Sequence, residues 1–198
     1  MESTLDARIC PPRRRTAPAP GSRLRDVVQI RGPARENLHV IGDDVVLRRA
    51  VVADAAAVTE LVAAAYAKYL ARMPFRPRPM DADYAAVLAE SDGWVVELDG
   101  RVRAVLICVL EPDHLLIENV AVHPDAQGRG LGGRLLELAE EHARANGRPE
   151  VRLYTNEVMV ENLRLYAGRG YRETGRESAG GFGRVFLAKR LVSRPSPG

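Results

Sequence analysis

Ordered apolar patterning begins near Val45, where Val45-Val46-Leu47 ahead of Arg48-Arg49 reads as a strand. Asp54 stands where a helix N-cap is wanted. Val58, Leu61, Val62, Ala65 and Tyr66 follow at three- and four-residue steps, the spacing of one buried helix face. The prolines of Met73-Pro-Phe-Arg-Pro-Arg-Pro-Met80 break that helix, and a second, short one is predicted from Asp81 to Ala89. A strand from Trp94 to Leu98 runs into Asp99-Gly100, a two-residue hairpin signal, and Arg101 to Leu110 returns beside it. Glu111-Pro112-Asp113 turns the chain into a third strand, His114 to His123. From Gly128 to Asn146 the period becomes helical, with Leu131, Leu135, Leu136 and Leu138 apolar, Glu137, Glu140 and Glu141 outside, and Gly147 as the stop. A strand at Val151 to Tyr154 and a helix at Val158 to Ala167 come next. Closing strands at Tyr171 to Thr174 and Val185 to Lys189 flank a glycine-rich turn. The order β-α-α-β-β-β-α-β-α-β-β, without internal repeat, predicts one mixed α/β sheet.

Composition narrows the class without changing that order. Over 198 residues, 46% hydrophobic and 28% charged residues are the fractions of a soluble globular protein. No apolar run approaches the roughly 18 residues of a bilayer span. No apolar stretch follows the charged N-terminus (Glu2, Asp6, Arg8) to serve as a signal peptide. Cys10 and Cys108 fall in unlike contexts, a tail and an apolar strand. No disulfide framework is therefore expected, and a cytoplasmic protein is the plain reading. The net charge of +3 is uneven, because eight arginines against four acids put about four positive charges on the first 40 residues. Their prolines oppose regular structure and no aromatics interleave. The expectation is a disordered basic tail over residues 1–41, with nucleic acid disfavoured as its partner. A domain is expected over 42–192 and a flexible tail over 193–198.

The densest chemical signal is Val120-Ala-Val-His-Pro-Asp-Ala-Gln-Gly-Arg-Gly-Leu-Gly-Gly133, which runs into the amphipathic helix. Backbone N–H groups at a helix start, freed of side-chain bulk by glycine, form an anion nest backed by the positive end of the helix dipole. Gly128, Gly130, Gly132 and Gly133 would let a diphosphate approach the main chain, with Arg129 adding a salt link at the rim. Gly128-Arg-Gly-Leu-Gly-Gly133 also fits the dinucleotide pattern G-x-G-x-x-G. Against that pattern, His123-Pro-Asp-Ala-Gln127 separates the strand from the glycines, and no acid ends the next strand at Leu153-Tyr-Thr-Asn156. No Gly-Lys-Ser/Thr is present for a Walker loop. A plain helix-capping turn is the bland alternative.

Gln127-Gly-Arg-Gly-Leu-Gly132 resembles the acyl-CoA motif Q/R-x-x-G-x-G/A of the GNAT superfamily of N-acetyltransferases. "NVAVHP" before it and "ENLRLYAGRGYRETG" after it resemble that family's neighbouring segments in the same order, and the resemblance runs from about residue 45 to 191. It implies a mixed, mostly antiparallel central sheet, splayed between two strands and flanked by helices. It implies acetyl-CoA as co-substrate, with Val120, Ala121 and Val122 offering main-chain groups to pantetheine. A main-chain N–H near Val120 would polarise the thioester carbonyl. Gln127, Gly128, Arg129, Gly130, Leu131, Gly132 and Gly133 would take the pyrophosphate. Tyr166 occupies the place of a tyrosine that often protonates the leaving thiolate. Asn162, one turn earlier on the same face, would contact CoA. Where many relatives carry an asparagine one further turn upstream, this chain has Met159.

Acetylation of an amine requires that it lose a proton, and Glu118 is the candidate acceptor. By strand alternation Leu116, Glu118, Val120 and Val122 share a face, which sets a carboxylate just ahead of the thioester; a bulge there would break the alternation. A solvated or arginine-paired glutamate is the alternative, as core packing beside Leu163 and Leu165 is for Tyr166. His114 and His123 are weaker candidates, and without a second ligand at metal spacing no metal is predicted. The resemblance further implies that the acceptor meets Tyr69 to Tyr84 and Ser178 to Arg184, a lining that offers Arg72, Arg76, Arg78, Asp81 and Asp83. The expectation is direct transfer of the acetyl group to a primary amine of a small molecule in a ternary complex. Acetylation of a protein or peptide amine, transfer of another acyl group, a non-catalytic acyl-CoA-binding module and a tail-driven nucleic-acid binder are the alternatives. No membrane partner is expected, and a homodimer is left open.

Overall fold

The computed structural model of the chain describes residues 39–42, 45–179 and 182–192. Of the tail expected over 1–41 only residues 39–41 are described, and the tail expected over 193–198 lies outside the described residues. Eight strands form one sheet: β1 His39–Gly42, β2 Val45–Arg49, β3 Asp92–Leu98, β4 Arg101–Leu110, β5 Leu115–Val122, β6 Glu150–Asn156, β7 Arg172–Ala179 and β8 Phe182–Arg190. Their order is β1-β2-β3-β4-β5-β6-β8-β7. Every neighbouring pair is antiparallel except β5 with β6. This is the mixed, mostly antiparallel sheet expected, with β1 as an edge strand the hydrophobic pattern did not reveal.

Strand alternation sorts the sheet's side chains into two cores. Trp94, Val96, Leu98, Ala104, Leu106 and Cys108 face the helices α3 (Leu131–Ala145) and α4 (Val160–Gly168), while Val95, Val105 and Ile107 face α1 (Ala55–Tyr66) and α2 (Tyr84–Glu90). Both faces of β3 and β4 are covered, which is why these strands read as unbroken apolar runs. On α1, Val58, Leu61, Val62 and Ala65 are the buried stripe that the spacing predicts.

Two features of β5 shape the molecule's centre. Its parallel ladder with β6 holds Leu115 to Val151, Leu116 to Arg152 and Ile117 to Leu153 and goes no further. Its register against β4 shifts between Ile107–Asn119 and Cys108–Ile117, which leaves Glu118 as an extra residue in a β-bulge. The bulge corrects the alternation read from the sequence. Val120 and Val122 pack on the α3 side with Leu115 and Ile117, whereas Asn119 and Ala121 turn toward α1.

Several helix boundaries differ from expectation for local reasons. Helix α3 starts at Leu131 because Gly128 and Gly130 have φ of 79° and 78°, which no α-helix contains. Asp83 begins α2 by accepting the N–H groups of Ala85 at 3.0 Å and Ala86 at 3.3 Å. Glu140 is not on a solvent face: it is 6% exposed and paired with Lys189 Nζ of β8 at 2.6 Å, with Arg144 at 3.6 Å.

Asp54 precedes α1 but does not cap it. Its carboxylate accepts the Val51 N–H at 2.8 Å and both Arg48 terminal nitrogens at 2.8 Å, and Arg48 Nε reaches Glu97 of β3 at 2.9 Å. The Arg48 hydrogen bonds hold the Asp54 carboxyl below its ordinary 3.8, against the opposing effect of burial. A depressed carboxylate stabilises the fold above its unfolded pKa and loses that contribution as pH falls through the folded value. Asp54→Asn is expected to cost about 1–3 kcal/mol at pH 6 and to flatten the acid limb of a thermal-stability profile. A loss of equal size from pH 6 down to pH 2 would sink this account.

Candidate active site

Where β5 and β6 part, the sheet opens a groove of about 430 Å³. Val120, Ala121 and Val122 line it from β5, Tyr66 and Tyr69 from the end of α1 and the 3₁₀ turn after it, and Asn162, Leu165, Tyr166 and Arg169 from α4. Ala65, Lys68 and Glu161 also line it, and Ala126 to Gly133 complete the lining, with Arg129 outside it. The segments that the sequence analysis linked to one ligand thus converge on one cavity.

The loop is held by its own chemistry. Pro124–Ala126 forms a 3₁₀ turn, and Ala126 is 1% exposed, which anchors the loop in the core. The Gln127 amide donates to the Val122 carbonyl at 3.0 Å, tying the loop back to the end of β5. Glycine at 128 and 130 is required by backbone conformation: an added Cβ would meet nothing within 4 Å, but the left-handed φ disfavours any L side chain. Helix α3 then begins with N–H groups at 131, 132 and 133 that have no intrahelical partner, since the first such bond runs from Arg134 to Gly130. These donors and the helix dipole suit an anion.

Beside the bulge lies a buried polar chain that the sequence analysis missed. Tyr66 Oη donates to Asn119 Oδ1 at 3.1 Å, Asn119 Nδ2 donates to Tyr84 Oη at 2.9 Å, and Tyr84 Oη donates to the Pro79 carbonyl at 2.8 Å. The signal was present as a lone asparagine in an apolar strand, but it means something only once the bulge turns that residue inward. Glu118 itself is exposed and stands next to Asn119, outside the groove lining. Burial pushes the Tyr84 hydroxyl up to about 12, and the Glu118 charge adds to the rise.

On α4, Tyr166 is 5% exposed with its ring edge-on to Tyr171. Among the described residues no hydrogen bond engages its hydroxyl, and burial raises its pKa above the ordinary 10. Asn162 accepts from Tyr69 Oη at 3.3 Å and donates to Met159 sulfur at 3.6 Å. His114 pairs with Asp113 at 2.7 Å, and His123 accepts the Asp125 N–H at 3.3 Å; both have local, structural partners. Of the charges expected around an acceptor, Arg72 is paired with Glu161 at 2.9 Å and Arg76 with Asp81 at 2.7 Å.

Fold and groove together define an α/β protein with a groove between two parted strands and the start of a helix in its lining. Residues 57–171 match the model of the Acetyltransferase (GNAT) family, and the chain belongs to that family. It is 37% identical over 79 residues to a mycothiol acetyltransferase of Thermomonospora curvata, covering 39% of this chain and 27% of that protein. It is 28% identical over 110 residues to N-acetyltransferase family 8 member 2 of Rattus norvegicus, covering 52% of this chain and 46% of that protein. The chain therefore spans less than half the length of both relatives. Its fold is similar to the structure of yncA from Salmonella typhimurium with its cofactor acetyl-CoA, at a TM-score of 0.60 and 22% identity over 78% of this chain and 98% of that one.

The Asn119 chain generates a prediction about the site's frame. Asn119→Ala would remove the acceptor of the half-buried Tyr66 hydroxyl and is expected to cost about 1–3 kcal/mol in denaturant unfolding. Adding Tyr66→Phe should recover part of that loss, and a double variant no more stable than Asn119→Ala would show that the hydroxyl is satisfied some other way.

Proposed function

We propose that this chain transfers the acetyl group of acetyl-CoA to a primary amine of a small molecule by direct attack in a ternary complex. The observation that carries the reading is the convergence, on one groove, of unpaired α3 N–H groups, the β5 main chain and the Tyr166 hydroxyl. An acyl thioester of coenzyme A is an extended chain with a diphosphate toward one end and a reactive carbonyl at the other, and the groove offers partners for both.

In this reading the loop from Gln127 to Gly133 binds the diphosphate, and Val120, Ala121 and Val122 align pantetheine by main-chain hydrogen bonds. A main-chain N–H near Val120 stabilises negative charge on the carbonyl oxygen as the amine attacks. Glu118, on the bulge beside this point, takes the amine's proton through water. Tyr166 returns a proton to the departing sulfur, a role supported by its unengaged hydroxyl. Asn162 orients the ligand from the same helix face.

Titration calorimetry with acetyl-CoA tests the binding half. A micromolar dissociation constant, about −8 kcal/mol, is expected, and Gly130→Glu should abolish it by forcing a charged L side chain into a left-handed position in the anion nest. No binding by the unaltered chain would end the acetyltransferase reading. For the chemistry, an amine-library screen should give a substrate, and Tyr166→Phe is expected to lower kcat by about 100-fold or more with acetyl-CoA affinity retained. Unchanged turnover would remove Tyr166 as the proton donor.

A further inference from the structure

Along α4, Asn162, Leu165, Tyr166 and Arg169 fall at helical steps and line the groove together. Two of them lie over the first turn of α3. A Cβ added to Gly132 would meet Leu165 Cδ2 at an ordinary 3.4 Å, whereas one added to Gly133 would fall 1.9 Å from Arg169 Nη2 and 2.4 Å from its Cζ. The Arg169 guanidinium thus occupies the volume that any side chain at position 133 would claim. The guanidinium therefore lies against the first turn of α3, whose residues line the groove with it.

The guanidinium is anchored from behind. Its Nη1 donates to the Gly133 carbonyl at 3.3 Å and to the Glu137 carboxylate. Among the described residues no hydrogen bond uses its Nε or Nη2, and the side chain keeps 35% of its exposure. Arg129, the cation offered by the loop itself, is exposed and outside the groove lining. The nest of main-chain donors at the start of α3 thus has a cation beside it that comes from α4 and not from the loop.

We infer that Arg169 is the side-chain cation for the cofactor's diphosphate, and that glycine at 133 is the residue that admits it. This rests on the acetyl-CoA reading above. A guanidinium with free donors matches adjacent phosphate oxygens in a way that a point charge does not. Position 133 and Arg169 therefore act as one unit: a side chain at 133 displaces the guanidinium from the anion.

The test measures binding of acetyl-CoA, acetyl-3′-dephospho-CoA and S-acetylpantetheine to the full chain by calorimetry. Three forms are compared with the unaltered protein: Arg169→Gln, Gly133→Ala and the double variant. Arg169→Gln should weaken acetyl-CoA and the dephospho form by the same factor, about tenfold, and leave S-acetylpantetheine unchanged. Gly133→Ala, which favours the helix and whose added Cβ has three Arg169 atoms as its nearest neighbours, should reproduce that loss and add little in the double variant. Any of three results overturns the assignment: Arg169→Gln binding acetyl-CoA as the unaltered protein does, a loss confined to the form with a 3′-phosphate, or an equal loss with S-acetylpantetheine. If Arg169→Gln fails to fold, Gly133→Ala decides by the same criteria. Failure of the unaltered protein to bind acetyl-CoA would instead remove the cofactor reading itself.

Discussion

The parallel pairing of β5 with β6 holds for three residue pairs and stops, and the site depends on that short ladder. If the strands stayed paired to their ends, the groove between them would be a continuous sheet with its main-chain groups consumed. Because they part after Ile117 and Leu153, one strand carries the chain to the glycine loop and the other to α4. The bulge at Glu118 falls next to the point of divergence. It turns Asn119 toward α1 and α2, whose Tyr66 and Tyr84 hydroxyls bind its amide, and keeps Val120 and Val122 on the α3 core. The bulge and the divergence together convert a sheet strand into a wall of a binding site.

The two layers of helices hold that arrangement from opposite sides. Helix α3 is sealed to the sheet by Leu135, Leu136, Ala139 and Ala143, all buried, and the Glu140–Lys189 pair joins it to β8. Its N-terminus is therefore a rigid part of the core, which lets the dipole and the unpaired N–H groups present a preset field to an anion. On the other side, Tyr69 bonds Asn162 and Arg72 pairs with Glu161, so the 3₁₀ turn after α1 and the start of α4 are linked. A ligand entering between them meets groups already oriented.

Much of the fold was legible along the chain. The buried stripes of α1 and α3, the Asp99-Gly100 hairpin and the apolar runs of β3 and β4 follow from local pattern, which burial on one or both faces of an element imposes. The glycine loop was legible for a different reason: left-handed backbone at 128 and 130 tolerates almost nothing else, so the residue type reports the conformation. Asp54 shows where local reasoning fails. As an acid ahead of an apolar helical stripe it has the signature of a cap, yet Arg48, six residues earlier, competes for its carboxylate and wins with two charged hydrogen bonds. Glu140 fails likewise, because Lys189 lies 49 positions away in sequence.

The sequence by itself determined the elements, the apolar runs of the central strands and the position of the glycine turn, since each depends on residues within a few positions of one another. Tertiary structure alone decided the bulge that reorients Glu118 and Asn119, the burial of Tyr166 in the groove wall, and the meeting of Arg169 with Gly133. Those features need strands and helices far apart in the chain to be packed first, and no local spacing encodes the distance between them.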